Sequence, residues 1–224
     1  PLDDGSIDPD NGPDGDPDND NAGNIEEFNA GSGAMNGNSV PVNIDIMLHS
    51  GFNIFGYPVS APTTSYDLLT GLGDDTEIEK ILVYDKAAGS YRTTYYGASA
   101  PAGDNVAIGH GDGIIIYSKV NKAVSFNPAV RPRNSYVECV AVDLNAGLNV
   151  ITFPCVQAGL SAFQLLQAIG NETMVSSIQR YDEGKGQFET AVYHNGQPAG
   201  VDFPVAVGEG YLIYMKQEVL GFRP

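Results

Sequence analysis

The chain has no tryptophan, two cysteines, three histidines and, before Lys80, no lysine or arginine at all. Each shortage excludes something. Two cysteines cannot build a disulfide-dense miniprotein or a zinc site of several thiolates. The histidines, His49, His110 and His194, are scattered and are expected at turns and a strand end, not in a metal cluster. No stretch approaches the roughly 18 apolar residues that a membrane-spanning helix needs, so no membrane insertion is expected. The net charge is −17, and a chain so acidic repels nucleic acid and anionic bilayers alike. There is no G-x-S-x-G elbow, no P-loop and no dinucleotide fingerprint after a strand. The run GHGDG at 109–113 leads into Ile114-Ile115-Ile116, so it reads as a turn before a strand and not as a phosphate cradle before a helix. The chain opens on Pro1 with no signal-like apolar region, which reads as a mature product or a fragment of something longer.

What the chain has in excess is aspartate at its amino end. Residues 1–79 carry 16 acids and no Lys or Arg, whereas residues 80–224 net only −1. Asp14, Asp16, Asp18 and Asp20 recur at every second position, separated by Gly15, Pro17 and Asn19. Turn-prone spacers let the backbone curl until successive carboxylates converge, which suits calcium with its six to eight oxygens at about 2.3–2.6 Å. In the best register against the EF-hand loop, Asp16 stands first, Asp18 third, Asp20 fifth and Glu27 twelfth. Pro9, Pro13 and Pro17 preclude a long preceding helix, so a true helix-loop-helix is not expected. The run DPDNGPDGDPDNDNAGN resembles the acidic repeats of the thrombospondin type 3 family and their bacterial relatives, without that family's paired cysteines. The resemblance covers about residues 3–27 and implies a chain wrapped around calcium ions. The expected ligands are Asp8, Asp10, Asp14, Asp16, Asp18, Asp20 and Glu27. A solvated acidic linker is the competing reading.

Beyond a Gly/Asn/Ser linker at about residues 28–39, the sequence repeats itself. GFNIFGYPV (51–59) matches GLNVITFPC (147–155), and YDLLTGLG (66–73) matches FQLLQAIG (163–170). IEKILVYDKAAGSYRTTYYG (78–97) matches VSSIQRYDEGKGQFETAVYH (175–194), and GDGIIIYSK (111–119) matches GEGYLIYMK (208–216). Two homologous modules are therefore expected, at 40–126 and 136–224, joined through 127–135. Val42, Ile44, Ile46 and Leu48 alternate as a half-buried strand does. Ser65 and Ser161 are expected N-caps of a short helix that stops at Gly73 or Gly170. Strands are expected at 78–84, 91–96 and 114–117, and again at 175–181, 188–193 and 211–215. The expected fold is mainly β (α+β): two antiparallel β modules of sandwich type, each with one short helix, behind the acidic segment 1–27. The GxN, YD-x-x-x-G and GxGY-like elements also resemble a module repeated in large secreted bacterial surface proteins. Structural roles suffice for them: Asp85 and Asp182 start turns, and Asn53 and Asn149 cap backbone groups.

Cys139 and Cys155 flank the turn at Gly147, so a hairpin brings them together. A disulfide closing a loop of about 15 residues contributes roughly 3 kcal/mol; two buried free thiols are the alternative. An oxidising compartment agrees with the calcium reading, since extracellular calcium is plentiful. Glu172, Glu183 and Glu189 fall at turn and strand positions and are not expected to work as a hydrolytic pair. Repetition favours a non-enzymatic, extracellular calcium-binding module with a structural or adhesive role in a larger secreted or cell-surface protein. Its partners would be calcium and a polysaccharide or another surface protein. The alternative is a carbohydrate-binding module of a secreted enzyme, with Tyr91, Tyr95 and Tyr96 as stacking platforms.

Overall fold

Apolar residues at every second position dominate both halves of the chain, and they form antiparallel strands. The structure is a computed structural model. It describes residues 39–40, 44–57, 62–126, 137–138, 141–153 and 155–224, together with Gly15, Pro17 and Asn24. The first half runs β1 (Ser39–Val40), β2 (Ile44–Leu48), β3 (Gly51–Gly56), β4 (Thr63–Thr64), α1 (Ser65–Leu72), β5 (Ile78–Asp85), β6 (Ser90–Gly97), β7 (Ala100–Gly103), β8 (Ala107–Ile108), β9 (Gly113–Ser118) and β10 (Lys122–Phe126). The second runs β11 (Val137–Glu138), β12 (Val142–Leu144), β13 (Gly147–Ile151), α2 (Ala162–Ile169), β14 (Val175–Asp182), β15 (Gln187–His194), β16 (Gln197–Gly200), β17 (Tyr211–Met215) and β18 (Val219–Phe222). The fold is mainly β, and the pairing is antiparallel in every described ladder.

Each half builds a five-stranded sheet, ordered β3-β9-β5-β6-β7 in the first and β13-β17-β14-β15-β16 in the second. The strand order is the same in both. The short β4–β8 pair has a counterpart in the isolated bridge between Ser161 and Pro204. One outer strand of each sheet, β7 or β16, carries a proline, Pro101 opposite Tyr96 and Pro198 opposite Tyr193. Sequence periodicity located the long strands to within a residue or two but left β7 and β8 as loop, because four-residue and two-residue strands leave no period to read.

The central strands β9 and β17 are apolar on both faces, so both faces of each sheet must be covered. On one face of the first sheet, Leu68, Leu69 and Leu72 of α1 pack with Ile81, Val83, Ile114 and Ile116. In the second half, Leu165, Leu166 and Ile169 of α2 pack with Ile178, Ala191 and Ile213. The remaining faces meet each other through Ile54, Ile115 and Leu212, flanked by Phe52, Leu82, Tyr91, Tyr117, Leu148 and Tyr181. The order of layers is helix, sheet, sheet, helix.

The helices start where a hydroxyl caps them. Ser161 accepts from the Gln164 N–H while Gln164 reaches back to the Ser161 N–H, a reciprocal capping box. In the first half the cap is Thr64 and not the expected Ser65. Ser65 has moved inside the first turn, where its buried hydroxyl bonds Thr94 Oγ1 (2.7 Å) and the carbonyl of Asp104 (3.0 Å). Each helix ends at a glycine whose carbonyl accepts a tyrosine hydroxyl from the sheet: Tyr96 to Gly73 at 2.5 Å and Tyr193 to Gly170 at 2.6 Å.

Candidate functional site at the junction of the two sheets

The contacts across the junction are reciprocal. Phe55 bridges to Glu209 and Asp112 bridges to Ile151. The Gly56 N–H donates to the Gly208 carbonyl, and the Thr152 N–H donates to the Gly111 carbonyl, both at 2.9 Å. In the sequence match Phe55 corresponds to Ile151, Gly56 to Thr152, Gly111 to Gly208 and Asp112 to Glu209. Every contact therefore recurs with the halves exchanged, as a local twofold axis requires. Missing side chains permit the approach. A Cβ on Gly113 would lie 2.6 Å from the Ile151 nitrogen, and one on Gly210 would lie 2.4 Å from Ile54 Cγ2. Phe52 completes the contact with its ring edge-on to Tyr181 (4.7 Å) and Phe188 (5.8 Å), the arrangement favoured by aromatic quadrupoles.

A cleft of about 280 Å³ opens beside this contact, between Ile46–Leu48 of β2 and the segment 206–209, and floored by Asn53–Phe55 of β3. Glu183 and Glu209 line it. Burial holds the Glu183 carboxyl above the usual carboxylate range, the Glu209 charge adds to that shift and His49 opposes it. The corresponding position in the first half is Lys86, whose charge favours ionisation of Asp112.

One wall of the cleft is fixed by a network found in the second half alone. Arg180 bonds Glu189 at 2.9 Å and reaches Glu209 at 3.5 Å, while its guanidinium lies 4.9 Å from the Phe203 ring. Burial opposes the Arg180 charge, but the two carboxylates outweigh it and raise its pKa. Lys185 bonds Glu189 (2.5 Å) and Asp182 (2.8 Å), and hydrogen bonding from Lys185 is the main cause holding both carboxyls below their usual range. Burial, with Glu209 adjacent, pushes the Tyr211 phenol far up. It therefore stays a neutral donor to Glu209 Oε2 at 2.7 Å. Val83, Arg92 and Ile114 stand where Arg180, Glu189 and Tyr211 stand, so the first half cannot form this network. Glu189 is thus a paired anion held below its usual range, whereas burial raises the Glu183 carboxyl, as it does Asp112.

The residues singled out by sequence fall in several places. Asp8, Asp10, Asp14, Asp16, Asp18, Asp20, Glu27 and Cys139 lie outside the described residues. Within the acidic segment, the Asn24 N–H donates to the Gly15 carbonyl at 2.8 Å. Among the described residues no group of three or more His, Cys, Asp or Glu is placed to hold a metal ion. Cys155 is disulfide-bonded. Asn53 and Asn149 cap the backbone as expected: each side-chain oxygen accepts one N–H and each amide donates to two nearby carbonyls. Asp85 and Asp182 each close a turn through a backbone N–H. Glu172 accepts from the Gly196 N–H, away from Glu183 and Glu189.

Of the three clustered tyrosines, Tyr91 packs into the sheet–sheet layer and Tyr96 bonds the end of α1. Tyr95 alone is exposed, at 46%. The run 109–113 is the turn before a strand that its sequence suggests, and it also takes part in the junction through the Gly111 carbonyl. The sequence signal for that contact is Gly-acid-Gly at matching places in the two halves, 111–113 and 208–210, a bare backbone beside a charge. No family model matches the chain, and no curated protein or solved structure matches it, so its assignment rests on the residues themselves.

Proposed function

We propose that this chain is a non-catalytic extracellular unit with a structural or adhesive role in a larger secreted or cell-surface protein. We further propose that it arose by duplication of one β module and that its acidic segment binds calcium. The observation that carries this reading is the reciprocal junction, which joins two equivalent sheets into one stiff body. A spacer or scaffold needs that stiffness, and a catalytic site would not need the second copy. The disulfide of Cys155, for which Cys139 is the partner the sequence offers, agrees with an oxidising compartment.

Calcium at Asp8, Asp10, Asp14, Asp16, Asp18, Asp20 and Glu27 would neutralise a segment that has no base of its own. Without it, each carboxylate pair at 4 Å costs about 1 kcal/mol in water. EDTA is expected to lower the melting temperature and to expose residues 3–27 to protease, with calcium restoring both. A digestion pattern indifferent to EDTA and calcium would sink the calcium reading. Exposure of Tyr95 keeps a polysaccharide partner as the second reading, to be checked by pull-down with the Tyr95→Ala chain.

A further inference from the structure

Positions 56 and 152 correspond in the repeat and touch each other, so the local twofold axis passes between them. A residue on such an axis meets its own counterpart. Here the counterparts differ: Gly56 faces Thr152, and a Cβ at position 56 would fall 1.9 Å from Thr152 Cβ. Pairing two first halves about this axis would set glycine against glycine and leave a void. Pairing two second halves would force two branched side chains into space that holds one. The neighbouring glycines, Gly111 and Gly113 or Gly208 and Gly210, are the same in both halves and so cannot tell them apart. We propose that Gly56 and Thr152 form a selectivity pair, through which the junction surface of the first half accepts the second half and refuses a second copy of itself. The discrimination is by volume. Thr152 is fully buried and its Oγ1 has no hydrogen-bond partner, so the hydroxyl contributes shape and no bond.

The test uses the full chain with Gly56→Thr, Thr152→Gly and both together. Gly56→Thr sets threonine against threonine and is expected to lower the melting temperature by roughly 5–10 °C. Its small-angle scattering should show a larger radius of gyration or association between chains. The double variant restores one threonine and one glycine with the halves exchanged, and should recover at least half of that loss. Should Gly56→Thr yield no folded protein, Gly56→Ala with and without Thr152→Gly gives the same comparison, since a single methyl group already meets Thr152. The proposal is overturned by a double variant whose loss is the sum of the two singles. It is also overturned by a Gly56→Thr or Gly56→Ala chain as stable and compact as the parent.

Discussion

Asn149 shows how one side chain can hold a strand entry together. It is fully buried, accepts from the Asn145 N–H (2.9 Å) and donates to the carbonyls of Asn145 (2.7 Å) and Gly147 (3.2 Å). Alanine there removes these bonds from backbone that is only half-buried at Asn145 and exposed at Gly147, so Asn149→Ala should cost roughly 1–2 kcal/mol in urea unfolding. A loss under half a kcal/mol would mean that water replaces the amide. Thr152 presents the opposite case, since its hydroxyl is buried without a partner. Thr152→Val preserves the shape and removes that desolvated group, so stability should rise by roughly 1–2 kcal/mol; a drop on the same denaturation curve would contradict it. The asparagine role was legible because Gly-x-Asn recurs in both copies and Asn is a strong local capper. The role of Arg180 was not, because its partners Glu189 and Glu209 are fixed by sheet register and a distant loop, and neither can be read from neighbouring residues.

The hairpin formed by β14 and β15 carries the pH dependence that can be checked most directly. Hydrogen bonding from Lys185 lowers the Asp182 and Glu189 carboxyls. Their stabilisation is therefore complete above the ordinary carboxylate pKa of about 4 and is lost as pH falls through the lower folded-state values. Glu183 and Asp112 run the other way, raised chiefly by burial. Their contribution is complete below the ordinary value and is lost as pH rises through the folded-state one. Melting temperature should thus rise or hold as pH is lowered from 7 to about 5 and then fall below about 4. Glu183→Gln should flatten the upper limb and leave the acid limb in place. An upper limb unchanged by that substitution would show that Glu183 does not titrate there. At this scale the helices were found from apolar spacing and a stopping glycine, but the cap of α1 was misplaced by one residue. Thr64 and Ser65 are both competent caps, and the choice was made by the buried contacts of Ser65 to Thr94 and Asp104, which lie far along the sequence.

As a whole, the molecule is two equivalent sheets closed against each other, each with a helix on its outer face. Apolar period marked the dominance of strands and one short helix in each half. It did not reveal how the halves meet: the apolar residues of the layer between the sheets look like any core residues in sequence, and the reciprocal bonds at positions 56, 111, 152 and 208 are made by backbone groups. The asymmetry of charge along the chain belongs to this scale too: residues 1–38 carry ten acids and no Lys or Arg, a net −10, while residues 39–224 carry 18 acids against 11 bases, a net −7. Repulsion from a body of that charge is screened beyond about 8 Å at physiological salt, and unpaired outer strands invite hydrogen bonding from a neighbour. Pro101 and Pro198 each sit in one such outer strand. A ring replaces an amide hydrogen on that one rim of each sheet, and the ladder stops there. Dense packing of many such units side by side can then proceed without those rims zipping into a continuous ribbon.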